Sequence, residues 1–344
     1  MWGLLKGLVR GAASFLTSWR RQGQEDRAET ESPGAEPPKS AADYITKGNS
    51  FYTAGDFLGA FEQYGRALEL RPDDPNSLYG RGLALHRLQR YDEALAAYNR
   101  ALELRADDQD TIHGEGLTLY ELERYDEALA AYNRALELRT DNPDALNNRG
   151  NTLDMLQRYQ EALADYNGAL ELRPDDPKIL YNRGRALYCL QRYGEALADY
   201  NRALELRPGD PDALCNRGAT LDKLQRFQEA LADHNRALEI RPGHPNTLVN
   251  RGVTLSNLKR YDEAIVDYNS ALELQPDHRE ALYNRACLYS LTSRLEESWN
   301  DLTESISRDG NYRTAAREDE DFDNLRSDPA LGPEFERLVA EPEE

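Results

Sequence analysis

Sulfur is scarce in this chain, with three cysteines and two methionines among 344 residues. Cys189, Cys215 and Cys287 form no CxxC pair and have no metal-type spacing, which argues against a disulfide framework or a zinc cluster. They read as small residues on helix faces in a reducing compartment. Histidine is thin as well, five in all, and His244 and His278 fall in loops where solvated rings are expected. There is no glycine-rich phosphate loop, no HExxH and no nucleophile elbow. The reading is therefore non-enzymatic, with no catalytic residue, metal or cofactor. Positive charge is also short. The formal net charge is −20, and because residues 1–40 hold six Lys/Arg and five Asp/Glu, the acidity belongs to the rest of the chain. Such a body repels nucleic acid and attracts basic partners.

A fixed period is abundant. Glycines at 48, 82, 116, 150, 184, 218 and 252 are 34 residues apart, and Ala286 continues the series. Alanines at 60, 94, 128, 162, 196, 230 and 264, and again at 67, 101, 135, 169, 203, 237 and 271, run in step. Eight units follow: 41–74, 75–108, 109–142, 143–176, 177–210, 211–244, 245–278 and 279–312. Each predicts two helices. In 177–210, Asp176 is placed to cap "PKILYNRGRALYCL" and Pro177 suits its first position. "QRY" is the turn, and "GEALADYNRALELR" puts Ala196, Tyr200, Ala203 and Leu204 on one face. One hairpin cannot bury its apolar face alone, whereas stacked neighbours can.

These residues resemble the tetratricopeptide repeat family. Leu146, Gly150, Leu153, Tyr159, Ala162, Tyr166, Ala169 and Pro174 occupy that motif's positions 4, 8, 11, 17, 20, 24, 27 and 32. The resemblance implies an all-α fold, a right-handed α-solenoid superhelix of stacked helix-turn-helix repeats whose first helices line a concave groove. The last unit departs, with Leu295, Ser298, Leu302 and Ser305 where inner units carry Tyr, Ala, Tyr and Ala. Terminal repeats are expected to be atypical. Residues 313–344 are read as a C-terminal cap in which Phe322, Leu325, Leu331, Phe335 and Leu338 cover the last repeat. They resemble tails that follow such arrays in bacterial proteins, which points to a bacterial source.

Ahead of the array, residues 1–20 predict a basic amphipathic helix. Trp2, Leu5, Phe15 and Trp19 share one side, and no acid precedes Glu25. Lys6 and Arg10 make it a poor spanning helix, so contact with a membrane surface competes with docking on a partner or on the array, and with an unstructured leader. Residues 21–40 read as a flexible linker. The expected location is cytoplasmic, with peripheral membrane contact through residues 1–20.

Family geometry aims positions 2, 5, 6, 9, 12 and 13 of each first helix into the groove. Position 6 is Asn148, Asn182, Asn216, Asn250 and Asn284, but Thr46, Gly80 and Gly114 in the first three units. Asparagine can pair with both the C=O and the N–H of an extended peptide. The column resembles the asparagine ladder of O-GlcNAc transferases, while a plain solvated helix face is the alternative. Met155, Tyr181, Tyr188, Val249, Val253 and Tyr283 would add apolar contact. Lys178, Arg185 and Lys223 would meet acids, Asp144, Asp154, Asp212 and Asp222 would meet bases, and Asn151 lines the same face. The carboxylate clamp of heat-shock co-chaperones is a poor match. Asn49 fits it, but Ile45 replaces its lysine and Gly114 cannot supply its arginine.

One further column is charged. Position 7 carries Arg81, Arg149, Arg183, Arg217, Arg251 and Arg285, and position 23 carries Asp165, Asp199, Asp233, Asp267 and Asp301 in the last five units. A charge pair within or between hairpins would explain the co-occurrence, and so would duplication of one ancestral unit. The expected function is a protein-interaction scaffold holding an extended peptide or protein segment. The alternative is an assembly protein that acts through self-association or its convex face, and the oligomeric state is open.

Overall fold

Proline, a capping acid and glycine set the rhythm of the backbone. A computed structural model of the chain describes residues 40–340. The leader residues Trp2, Leu5, Phe15 and Trp19 lie outside the described residues. Among the described residues the regular structure is helical throughout, and no helix is long and apolar enough to cross a membrane. The chain divides into two compact units, Met1–Ala106 and Asp107–Glu344.

The first unit holds two hairpins, α1 (Ala41–Thr53) with α2 (Phe57–Leu70) and α3 (Pro75–Arg87) with α4 (Tyr91–Leu104). In the second unit the hairpins are α5 (Gln109–Glu121) with α6 (Tyr125–Leu138), α7 (Pro143–Met155) with α8 (Tyr159–Leu172), and α9 (Pro177–Cys189) with α10 (Tyr193–Leu206). Then come α11 (Pro211–Lys223) with α12 (Phe227–Ile240), α13 (Pro245–Asn257) with α14 (Tyr261–Leu274), and α15 (Arg279–Leu291) with α16 (Leu295–Arg308). Inside each unit a second helix packs against its own first helix and against the first helix of the next hairpin. The architecture is a stack of helical hairpins, an α-solenoid.

Five of the eight first helices start where an acidic or amide side chain takes up an orphan amide. Asp74 accepts from Ser77 N, and Asp176 and Asp210 each accept from two amides just ahead of a proline-led helix. The sharp stop after each first helix needs a left-handed residue. Gly55 serves in the first repeat at φ 82°. Elsewhere Gln89, Glu123, Gln157, Gln191, Gln225, Lys259 and Ser293 hold φ between 58° and 60°. The stop is closed by backbone bonds such as Gln191 N to Tyr188 O and Arg192 N to Leu187 O, both 2.9 Å.

The glycine column has one partner per hairpin. A Cβ on Gly150 would stand 2.7 Å from Tyr166 Cε1, and one on Gly184 would stand 2.9 Å from Tyr200 Cε1. Position 24 thus lays a buried ring directly on the position 8 backbone. In the eighth repeat the smaller Leu302 replaces tyrosine, and Ala286 takes the glycine's place.

Beyond Arg308 come α17 (Asn311–Glu318), a 3-10 turn (Glu320–Phe322), α18 (Asp323–Arg326) and α19 (Gly332–Val339). Phe322, Leu325 and Phe335 are fully buried, and they share a cluster with Tyr283, Ala286, Cys287, Leu302 and Ile306. Leu331 and Leu338 pack on its rim. Two polar links fasten this tail. Tyr283 OH donates to Asp319 at 2.8 Å, and Asn324 Nδ2 donates to the Ser290 carbonyl at 2.9 Å.

Candidate functional site

The asparagine column lies on successive first helices, and its side chains reach back one repeat plus one residue. Asn182 Nδ2 donates to Asn147 Oδ1 at 2.9 Å, and Asn216 Nδ2 donates to Tyr181 OH at 2.8 Å. Asn250 Nδ2 meets Cys215 Sγ at 3.3 Å, and Asn148 Nδ2 meets His113 Nε2 at 2.9 Å. Position 6 therefore ties itself to position 5 of the preceding hairpin. Asn147 Nδ2 also donates to Asn148 Oδ1 at 3.3 Å, so an amide chain runs from Asn182 through Asn147 and Asn148 to His113. For Asn284 the preceding position 5 is Val249, which has no acceptor to offer.

Burial sorts the groove candidates further. Asn182 is only 6 % exposed, and Val249 and Tyr283 lie in the core at 2 % and 8 %. Val249 is held in the cluster around Tyr268, and Tyr283 stacks on Tyr312 under the tail. These three present little surface to a ligand. Asn148, Asn216, Asn250, Asn284, Asn151, Tyr181, Tyr188 and Val253 are half-buried. Met155, Lys178 and Lys223 are exposed.

Several charged candidates are occupied by one another. Arg185 pairs with Asp154 at 3.1 Å across neighbouring hairpins. Asp144 takes Arg173 through two bonds, and Asp212 takes Arg241 likewise. Asn151 accepts the Tyr166 hydroxyl at 2.8 Å. His278 is buried rather than solvated. Its Nδ1 accepts from Ala281 N at the head of α15 and its Nε2 faces Asn246 Oδ1 at 3.0 Å, because no carboxylate stands at that cap.

The arginine column forms a three-way clip. Arg149 Nε and one terminal nitrogen donate to the two Asp165 oxygens at 2.7 and 2.6 Å. The other terminal nitrogen donates to Asn133 Oδ1 of the preceding hairpin at 2.9 Å. The same clip joins Arg183 to Asp199 and Asn167, and Arg217 to Asp233 and Asn201. It recurs at Arg251 with Asp267 and Asn235, and at Arg285 with Asp301 and Asn269. The aspartates are nearly buried and the arginines about a quarter exposed, as in the 7 % and 26 % of Asp199 and Arg183. The third member was missed in the sequence, although position 25 repeats every 34 residues at Asn133, Asn167, Asn201, Asn235 and Asn269.

The sixth repeat departs at one buried point. His234 takes the tyrosine position with 0 % exposure, and neither ring nitrogen has a hydrogen-bond partner among the described residues. Asp222 Oδ2 lies 3.5 Å from its Nε2. Burial disfavours the imidazolium, but Asp222 and Cys215 outweigh it and raise the pKa of the ring. Burial also opposes ionisation of Cys215, but the ring and the Thr247 hydroxyl outweigh it and lower that thiol. With Cys215 only 7 % exposed, the group is an internal charge network rather than a presented nucleophile. Cys287, Asp319 and Asp321 bring metal-type donors within 4.8 Å of one another. Burial and the two aspartates push the Cys287 thiol well up, so it stays protonated, while Asp319 is engaged by Tyr283 OH and the Asp321 amide.

Comparisons with known proteins point to one repeat family. Tetratricopeptide repeat family models match residues 45–111 and 113–177, residues 184–225, and residues 211–244 and 245–278. No curated protein matches the chain. Among solved structures, YrrB, described as a TPR protein with an unusual peptide-binding site, is 29 % identical with a TM-score of 0.46, covering 55 % of this chain and 97 % of its own. A tetratricopeptide repeat protein from Parabacteroides merdae is 21 % identical with a TM-score of 0.57, covering 76 % of this chain and 100 % of its own. The Cut9-Hcn1 hetero-tetramer of the APC/C gives 16 % identity and a TM-score of 0.60, covering 87 % of this chain and 55 % of the matched one. With its stacked hairpins, its 34-residue period and family matches over most of the array, the chain belongs to the tetratricopeptide repeat family, and its fold is that of a protein-interaction scaffold.

Proposed function

We propose that the chain is a non-enzymatic scaffold that holds an extended peptide or protein segment along its first helices, in the cytoplasm, with the leader at residues 1–20 adding peripheral membrane contact. The observation that carries this reading is the asparagine column itself. Asn216 and Asn250 spend one N–H on the preceding hairpin, which leaves the amide oxygen and the second N–H for a ligand backbone. Asn284, for which position 5 of the preceding hairpin is Val249, has no such acceptor there and keeps its amide for a ligand. Asn148 and Asn182 contribute less, because the amide chain through Asn147 already uses them.

Magnitude limits what the column does. At about 0.5–1.5 kcal/mol per bond, the remaining rungs supply only a few kcal/mol. Association costs roughly 4–15 kcal/mol. Backbone pairing therefore sets register and tolerance, and affinity rests on Met155, Tyr181, Tyr188, Lys178 and Lys223 beside it. The test is a random peptide library panned on the full chain, followed by fluorescence anisotropy of an enriched peptide. Asn250→Ala with Asn284→Ala is expected to weaken binding about 10–30-fold, as two or three lost bonds imply, with unchanged helicity. Equal affinity in the double variant removes the column from the account.

A further inference from the structure

The asparagine column ends on a titratable ring. The amide chain from Asn182 through Asn147 and Asn148 to His113 joins α9, α7 and α5, the first helices of three successive hairpins in the second unit. Asn147 and Asn182 are 4 % and 6 % exposed, so water serves them little and their partners within the chain matter. His113 and Asn148 are half-buried and keep contact with solvent.

Every link in this chain has a direction. Asn182 Nδ2 faces Asn147 Oδ1, Asn147 Nδ2 faces Asn148 Oδ1, and Asn148 Nδ2 faces His113 Nε2. This sense needs a bare Nε2, hence a neutral ring with its proton on Nδ1. A charged ring carries N–H at both nitrogens and cannot accept. Turning Asn148 alone would relieve that clash and create another, because its N–H groups would then meet those of Asn147. Only when all three amides turn over is every link restored. The bonds then run from His113 Nε2 to Asn148 Oδ1, from Asn148 Nδ2 to Asn147 Oδ1, and from Asn147 Nδ2 to Asn182 Oδ1. An asparagine amide allows this because one end accepts and the other donates, and half a turn of the side chain exchanges them.

The surroundings of the ring set the condition for the change. Burial holds the His113 pKa below the ordinary 6.5, while Asp144 and Asp110 oppose that fall. Asp110 belongs to α5 itself. Asp144 comes from α7, is held by Arg173 through two bonds, and feels Lys178 of α9. From α6 the Tyr132 ring lies 5.8 Å away, centre to centre. The ring is therefore neutral at neutral pH, and two carboxylates stand near it when acid supplies a proton.

We propose that His113 is the proton-operated end of this chain: when the ring gains a proton, Asn148, Asn147 and Asn182 turn over together and the hydrogen bonds across three hairpins reverse. Asn182 then exchanges a spare acceptor for a second spare donor. For a peptide lying along the column this changes what that one rung offers, a consequence that rests on the peptide-capture reading. The reversal itself is a property of the free protein.

The experiment follows the side-chain NH2 signals of Asn147, Asn148, Asn182 and Asn216 in the full-length protein by NMR, each assigned through its serine variant. No peptide is added, so failure of peptide capture leaves the result unaffected. The pH is lowered from about 8 as far as helicity persists. The first three signals are expected to move through one midpoint below pH 6.5, shared with the His113 ring. Asn216, whose partner is the Tyr181 hydroxyl, is expected to stay in place. His113→Phe is expected to flatten all three, and His113→Gln stands in if that variant does not fold. Movement of Asn148 alone, separate midpoints, a ring that stays neutral over the whole folded range, or the same titration without His113 overturns the proposal.

Discussion

Asp199 shows how one side chain can serve two hairpins. It is nearly buried, and its carboxylate holds Arg183, which in turn reaches Asn167. Replacing it by asparagine leaves a half-buried guanidinium poorly paired. Asp199→Asn is expected to destabilise its neighbourhood by about 1–3 kcal/mol. Hydrogen exchange of the 177–210 amides checks this, and exchange rates equal to wild type would make the clip ornamental. His234 is the second residue-scale case. Its pKa is raised above the ordinary 6.5 by Asp222 and Cys215 against the effect of burial, so folding favours the protonated ring. The stabilisation is fully present below about pH 6.5 and is lost as pH rises through the folded value. His234→Tyr restores the residue of the other inner repeats and is expected to abolish this dependence. Urea midpoints across that range read it, and an unchanged slope would detach His234 from the pH response.

Hairpin geometry belongs to the element scale. Seven turns hold a residue other than glycine at φ near 59°, a conformation that L-residues adopt at a penalty of about 1–2 kcal/mol. Glycine removes the steric term and adds some unfolded-state entropy. Gln191→Gly is therefore expected to stabilise by up to about 1 kcal/mol, read as a rise in the urea midpoint. A fall would mean that the Gln191 side chain contributes more than its backbone strain. Helix boundaries were legible from Asp-Pro and the "QRY" turn because capping and φ preferences are local. Less legible was the pairing of position 8 with position 24, since ring-on-backbone contact depends on how two helices cross. The departure at His234 was visible in the sequence, but its burial and its two neighbours were not.

At the scale of the whole molecule, an array must end. Phe322, Leu325 and Phe335 supply to the eighth hairpin what a further hairpin would otherwise supply, and Asp319 receives the Tyr283 hydroxyl much as position 6 meets position 5 elsewhere. A chain stopped at residue 312 uncovers Tyr283, Ala286, Cys287, Leu302 and Ile306. It is expected to self-associate with rising concentration and to melt earlier, which sedimentation and thermal unfolding would register. A monomer with the wild-type melting temperature would show that the tail is dispensable. Apolar residues at 322, 325 and 335 made the tail readable as a cover, while its ties through Asp319 and Asn324 arise only in the folded chain.

Taken alone, the sequence determined the repeat, its eight copies, the two-helix unit and the family, because period, capping and small-residue spacing are properties of the chain itself. It also singled out Asn148, Asn182, Asn216, Asn250 and Asn284 as a column and paired Arg149 with Asp165 by co-occurrence. Only the tertiary structure decided which polar groups remain available. The bonds from Asn182 to Asn147 and from Arg185 to Asp154, and the burial of Val249 and Tyr283, all arise between hairpins. A side chain's free capacity depends on its neighbour one repeat away, and that neighbour is set by stacking rather than by the 34-residue pattern within a unit.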